Sequence, residues 1–153
     1  MPTLHPGDPA PEISLPTDSG EPFHLSSLRG KNVVLYFYPK ADTPGCTKEA
    51  CAFRDNSAKF SHANTVVVGI SPDRSQAQAR FKEKFALPFT LLADAEHHAA
   101  EAYGVWTKKS MFGKKYMGIE RATFIIGPDG VVKKIFPKVK VEGHAEEVLA
   151  AIS

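Results

Sequence analysis

Six consecutive large apolar residues, Val33-Val34-Leu35-Tyr36-Phe37-Tyr38, constrain this chain more than any other stretch. A run of that length without polar alternation reads as a strand buried on both faces, so the fold must cover it from two sides. A second such run, Thr65 to Ile70, follows after a helical pattern in which Cys46, Ala50, Phe53, Ser57 and Phe60 share one stripe. Two buried strands joined by a helix make a parallel strand–helix–strand unit with a right-handed crossover. Ser71-Pro72-Asp73 then turns the chain into a helix carrying Ala77, Phe81 and Phe85, ended by Leu87-Pro88.

Beyond that point the pattern predicts a strand from Phe89 to Ala93 and a short helix, capped by Asp94, to about Tyr103. The clearest hairpin joins Ala122–Ile126 to Val131–Phe136 through the turn Gly127-Pro128-Asp129-Gly130. A closing helix from about His144 to Ile152 gathers Ala145, Val148, Leu149 and Ile152 on its apolar face. Residues 107–119 are basic and without a clean period, so a loop is expected there. At the other end, residues 2–12 hold four prolines and should run as extended coil. Ile13, Leu15 and Phe23 flank the turn Thr17-Asp18-Ser19-Gly20 and suit an edge hairpin, and Leu25 and Leu28 suit a helical turn capped by Ser26 or Ser27. A parallel unit, an antiparallel hairpin and a closing helix together match a thioredoxin-like α/β sandwich: a central mixed β-sheet flanked by helices on both faces, as a single domain over 1–153.

A chain of 153 residues buries roughly 70% of its unfolded surface and needs no staple. The net charge of +2 points to neither nucleic acid nor membrane as partner. The longest apolar run falls far short of the ~20 residues of a membrane span, and Met1 to Pro11 lacks a basic-then-apolar leader. The expected setting is the cytoplasm, where two nearby cysteines are more often catalytic or metal-binding than structural. Zinc would need four ligands at sensible spacing; His62, His97 and His98 are scattered and read as surface residues.

Both cysteines of the chain lie in the stretch Pro39 to Cys51 that follows the first buried strand. Thr43 suits the N-cap of the next helix and Pro44 its first position, which makes Cys46 the third helical residue. Free backbone N–H groups and the helix dipole there favour an anionic sulfur, and the Thr43 hydroxyl is within reach of it. Cys51 follows at a spacing that, on an ideal helix, gives roughly 8.6 Å between Cα atoms. A disulfide needs less than about 7 Å, so the two sulfurs cannot bond unless the helix start unwinds. Gly45 and Pro44 make that start a plausible place to open.

The pattern Pro39-x-x-x-Thr43-x-x-Cys46 resembles the peroxidatic motif of peroxiredoxins, and Glu49-Ala50-Cys51 resembles their peroxiredoxin Q or bacterioferritin comigratory protein branch. The similarity continues in Gly7-Asp8-Pro9-Ala10-Pro11, Leu28-Arg29-Gly30-Lys31, Tyr103-Gly104-Val105-Trp106 and Glu120-Arg121-Ala122-Thr123-Phe124. It implies a thioredoxin-like fold with an N-terminal extension and a thiol peroxidase acting on hydrogen peroxide and organic (alkyl) hydroperoxides. It further implies that Cys46 is the peroxidatic thiol and that Cys51 resolves it in an intramolecular disulfide, which thioredoxin or a similar dithiol reductant then opens. In this family's pattern Arg121 lies beside the thiolate and Pro39 shields it from water. No metal, haem or flavin is implied, and the branch suggests a monomer.

Glu49 could pair with Lys48, Arg54 or Arg121, and is read as an organiser of Arg121. Trp106 reads as core, or as a wall of the thiol pocket. The Lys108–Lys115 cluster reads as a solvated loop or as part of a docking face for an acidic partner. Two other classes remain open: a general disulfide oxidoreductase, which would normally show Cys-x-x-Cys, and a non-enzymatic redox sensor or holdase using the same pair of thiols.

Overall fold

The structure, a computed structural model, describes residues 4–152. Pro2 and Thr3 of the expected N-terminal coil lie outside the described residues. The chain forms β1 (Ser14–Pro16), β2 (Pro22–His24), a 3₁₀ turn (Leu25–Leu28), β3 (Asn32–Phe37), α1 (Pro44–Asp55), α2 (Ser57–His62), β4 (Thr65–Ser71) and α3 (Ser75–Phe85). It continues through β5 (Thr90–Ala93), α4 (His98–Ala102), β6 (Trp106–Met111), β7 (Lys114–Ile119), β8 (Ala122–Ile126), β9 (Val132–Phe136) and α5 (His144–Ile152).

Five strands make the central sheet in the order β5-β4-β3-β8-β9. β3 lies parallel to β4, and β4 to β5, while β3–β8 and β8–β9 are antiparallel. The apolar run in β3 is therefore the middle strand, and its alternate residues feed two separate cores. Val33, Leu35 and Phe37 pack with Val68, Ile70, Leu92, Phe124 and the α4 residues Ala99 and Ala100. Val34, Tyr36 and Tyr38 pack on the other face with Cys46, Ala50 and Phe53 of α1, Phe60 of α2, Phe81 of α3, and Ala145 and Val148 of α5. This is the thioredoxin-like mixed sandwich, with the residues before β3 as its N-terminal extension. Gly69 sits opposite Tyr36 in β4, where an added Cβ would come within 2.9 Å of the tyrosine ring, so the large aromatic requires the glycine.

Several local expectations are corrected. The cysteine helix is two helices, because Asn56 (φ −104°, ψ 7°) leaves helical geometry and its Nδ2 donates back to the Ala52 carbonyl. Neither Ser26 nor Ser27 caps the 3₁₀ turn; His24 holds the cap position, and the Ser27 hydroxyl donates to its carbonyl. Asp94 does cap α4, but from a distance: its two carboxylate oxygens accept from Ala99 N and Ala100 N, with His97 as N-cap at φ 62°.

The largest difference lies at 107–119, which is not a loop. β6 and β7 pair antiparallel as a separate two-stranded sheet with Trp106 opposite Ile119 and Met111 opposite Lys114. Phe112 (φ 52°) and Gly113 (φ 78°) make the tip, both left-handed as a tight hairpin turn requires. The strand period is invisible in the sequence because both faces of most of the ribbon meet solvent, so nothing selects alternation.

Candidate active site

The β3–β8 register brings the site together. Phe37 pairs with Ala122, so the residue before β8, Arg121, stands beside the end of β3 from which the chain enters α1. Thr43 (φ −100°, ψ 158°) is the N-cap of α1 and Pro44 its first residue, which puts Cys46 on the first turn facing the sheet. Cys46 is 1% exposed. Arg121 Nη2 lies 3.2 Å from Cys46 Sγ, and Arg121 Nη1 donates to Glu49 Oε1 at 2.6 Å. One guanidinium thus forks between a sulfur and a carboxylate one turn apart on the same helix. An added Cβ at Gly45 would stand 3.4 Å from Arg121 Nη2, so the fork lies close against the first turn.

The electrostatics follow from two acids sharing one cation. Burial raises the Glu49 pKa to about 7, with Arg121 opposing the shift. Its second oxygen, Oε2, is buried without a hydrogen-bond partner, which fits a carboxyl that carries a proton part of the time. Burial works against the Arg121 charge, but Glu49 and Cys46 outweigh it and hold the Arg121 pKa above its ordinary value. Because the folded Glu49 pKa lies above the unfolded one, its contribution favours folding most below about pH 4.5 and is lost as pH rises through about 7. Glu49→Gln removes that titration. Urea midpoints compared at pH 5 and pH 8 should show a loss in the wild type that exceeds the variant's by on the order of 1–3 kcal/mol. Equal losses would mean that Glu49 does not titrate in this range.

Of the residues singled out from sequence, the geometry gathers Cys46, Arg121 and Glu49. Glu49 selects Arg121, since Lys48 pairs with Glu142 and Arg54 with Asp55. The Thr43 hydroxyl does not contact the sulfur as expected and makes no cap bond; it donates to the Lys40 carbonyl at 2.8 Å, closing the turn ahead of the helix. Pro39 is exposed just past the end of β3. Cys51 is half-buried on α1, and both thiols are free within an intact helix, as the spacing requires. Trp106 does not line this site: it packs against the core on the opposite face of the sheet and stacks on His97 at 3.7 Å. His62 and His98 are exposed and His97 is half-buried, and the described residues contain no cluster of three or more potential metal ligands.

Two features of this region escaped the sequence reading. Ala41 N donates to Asp73 Oδ2 at 2.7 Å, and the same oxygen accepts from Ser71 Oγ. Ser71 in turn accepts from Gln78 Nε2, and Gln78 Oε1 accepts from the buried Tyr38 hydroxyl. A buried polar chain thereby fastens the 39–43 turn to α3 and β4, and its only sequence signal was a Ser-Pro-Asp turn. Behind α1, the buried His144 Nε2 lies 2.7 Å from Thr123 Oγ1, and its ring packs edge-on against Phe53 and Phe136. Burial pushes its pKa below the ordinary value although Glu147 pulls the other way. A helix-initial histidine carried no sign of that role.

Comparison with known proteins places this arrangement in a family. A family model described as AhpC/TSA matches residues 6–135. The chain is 55% identical over 146 residues to the putative peroxiredoxin bcp of Coxiella burnetii, covering 95% of this chain and 97% of the relative. It is 50% identical over 150 residues to peroxiredoxin Bcp of Bacillus subtilis, covering 98% and 96%. A cysteine-to-serine mutant of Xylella fastidiosa PrxQ superposes with a TM-score of 0.94 at 33% identity, covering 99% of this chain and 97% of that one. The Xanthomonas campestris bacterioferritin comigratory protein, described for alkyl peroxide reduction, gives a TM-score of 0.88 at 37% identity, covering 92% and 89%. The chain therefore belongs to the AhpC/TSA family, as a peroxiredoxin of the peroxiredoxin Q or bacterioferritin comigratory protein branch.

Proposed function

We propose that this peroxiredoxin reduces hydrogen peroxide and alkyl hydroperoxides through Cys46, with Cys51 as the resolving thiol and thioredoxin or a similar dithiol protein as reductant. The observation that carries the reading is the 3.2 Å contact from Arg121 Nη2 to a buried sulfur on the first turn of a helix. The Cys46 thiolate attacks the terminal oxygen of the hydroperoxide, the O–O bond breaks, and the sulfur becomes a sulfenic acid while water or an alcohol leaves. Negative charge moves from sulfur to the departing oxygen, where the Arg121 fork and the first-turn N–H groups of α1 stabilise it. Thr43 serves by closing the turn that presents those N–H groups, and Pro39, exposed at the start of that turn, is assigned the shielding of the sulfur from water. The Xanthomonas relative's activity on alkyl peroxides supports the wider substrate class.

The first turn of α1 then opens, Cys51 attacks the sulfenic sulfur, and water leaves as the disulfide forms. Reduction by exchange with a dithiol restores both thiols. Cys46, Cys51, Arg121 and Glu49 all come from one chain, which supports reading it as a monomer, and the setting proposed for it is the cytoplasm, where dithiol reductants keep thiols reduced; no described helix is long and apolar enough to cross a membrane. A coupled assay with thioredoxin, thioredoxin reductase and NADPH tests the whole cycle. Many turnovers per molecule with both hydrogen peroxide and a bulky alkyl hydroperoxide are expected, and one oxidation per molecule would replace catalysis with sensing.

The opening step depends on how firmly the 39–43 turn is held. Asp73→Ala leaves the Ala41 N–H without its acceptor, a loss of about 1–3 kcal/mol for a part-buried donor. Amide exchange through residues 40–47 should speed up by about tenfold or more, and disulfide formation should outrun further oxidation of Cys46 at high peroxide. Exchange unchanged in that segment would free Asp73 of the role.

A further inference from the structure

The β6–β7 ribbon carries a charge and an apolar surface that neither the fold nor the thiol site uses. Residues 106–119 contain four lysines and no acidic residue, while the whole chain has a net charge of only +2; without those four lysines it would be −2. The small net charge thus conceals a positive finger on a slightly negative body. Among the described residues none of the four lysines makes an ion pair, although five other lysines and arginines do so elsewhere. At the tip Phe112 is 98% exposed, and Met111, Met117 and Tyr116 below it are each about half exposed. An apolar cluster of this kind, rimmed by charge, marks an interaction surface.

The register shows how the two kinds of side chain are distributed. Residues opposite one another share a face of the ribbon. Lys108 faces with Met117, and Lys115 stands with them opposite Ser110; on the other face Lys109 stands opposite Tyr116 and Lys114 opposite Met111. Each face therefore has two lysines and at least one large apolar group, and the apolar tip projects past both. A flat protein partner would meet one face and leave the other pair of lysines idle. A second copy would set lysines against lysines. A lipid headgroup layer surrounds whatever enters it, so an apolar tip with cations around its whole girth is what it accommodates.

We propose that the β6–β7 finger docks this protein on anionic lipid surfaces, with Phe112 inserted at the acyl boundary and Lys108, Lys109, Lys114 and Lys115 among the lipid phosphates. In combination with the function proposed above, it would bring the thiol site to hydroperoxides formed on membrane acyl chains. The docking itself does not depend on that chemistry, and the test is independent of peroxidase activity.

The experiment is co-sedimentation of the full chain with vesicles of phosphatidylglycerol and phosphatidylcholine, against vesicles of phosphatidylcholine alone. Binding should need phosphatidylglycerol and weaken with salt. Each lysine reversal should cost about fivefold in affinity, from about 1 kcal/mol per surface lysine, so Lys108→Glu with Lys115→Glu and Lys109→Glu with Lys114→Glu should each lose about 25-fold. Phe112→Ser should lose about tenfold or more. None of these residues belongs to the thiol site, so the peroxide step serves as the control for folding. Loss from only one face pair, indifference to Phe112→Ser, or absence of binding to phosphatidylglycerol vesicles would each overturn the proposal. So would failure to bind vesicles together with a raised KM for the dithiol reductant in the lysine variants, which would assign the finger to an acidic protein instead.

Discussion

Cys51→Ser is expected to turn a catalyst into a reagent used once. The variant keeps the Arg121 fork, the first turn of α1 and the buried Cys46. Its first oxidation by peroxide should therefore proceed within about twofold of the wild-type rate. The sulfenic acid then has no thiol on its own helix to condense with, and thioredoxin-dependent turnover should fall below about 1% of wild type. With excess peroxide the same sulfur should advance to sulfinic acid, visible as a mass gain of two oxygens on the peptide containing Cys46. Cys46→Ser is silent in both steps, which separates the roles of the two thiols. Normal cycling of Cys51→Ser on thioredoxin would refute the resolving assignment, and a slowed first oxidation would mean that Cys51 helps shape the peroxide site.

The intact helix is central to this expectation. Both cysteines lie within α1, whose first turn has no side-chain cap. The bond from Ala41 N to Asp73 and the exposed pair between Asp42 and Lys84 are among the contacts that hold the preceding turn. Cys46 and Glu49 on the first turns are buried and tied to Arg121, and Ala50 and Phe53 behind them are wholly buried. On the proposed resolution, the Arg121 contacts and the uncapped first turn must give way so that Cys46 can travel, while Ala50 and Phe53 keep the rest of the helix on the sheet.

What could be read from the sequence depended on how each feature is encoded. The β3 run, the β8–β9 hairpin and α5 were legible because burial imposes a period on residues adjacent in the chain. Cys46 and Arg121 were legible through the family motif, since nothing local connects positions 46 and 121; only the antiparallel register of β3 and β8 brings them to 3.2 Å. The β6–β7 ribbon was hidden for the opposite reason, as its solvent-facing strands carry no apolar alternation. The chain of hydrogen bonds through Tyr38, Gln78, Ser71 and Asp73 was hidden because long-range partners of buried polar groups leave no pattern along the sequence. The Thr43 hydroxyl was correctly placed at the helix start but wrongly aimed: its short side chain found the Lys40 carbonyl before the sulfur.

Arg121→Met should slow the peroxide step by about 10²–10³-fold, the usual cost of losing a main electrostatic partner of the reacting atoms. Arg121→Lys should recover only part of it, because an ammonium offers a point charge where the fork now reaches Sγ and Glu49 Oε1 together. Competition kinetics against a second peroxide consumer would measure both. The methionine variant also strands Glu49, which is 1% exposed and would be left with no cation. Its carboxyl would then stay protonated further up the pH scale, so the stability of Arg121→Met should fall more steeply than that of wild type as pH rises past about 7. Adding Glu49→Gln should restore the stability at pH 8 and leave the rate as low as before. That separation is the decisive result. If the double variant regains peroxide reactivity as well, Arg121 acts by neutralising Glu49, and the stabilisation of the departing oxygen belongs to the helix start alone.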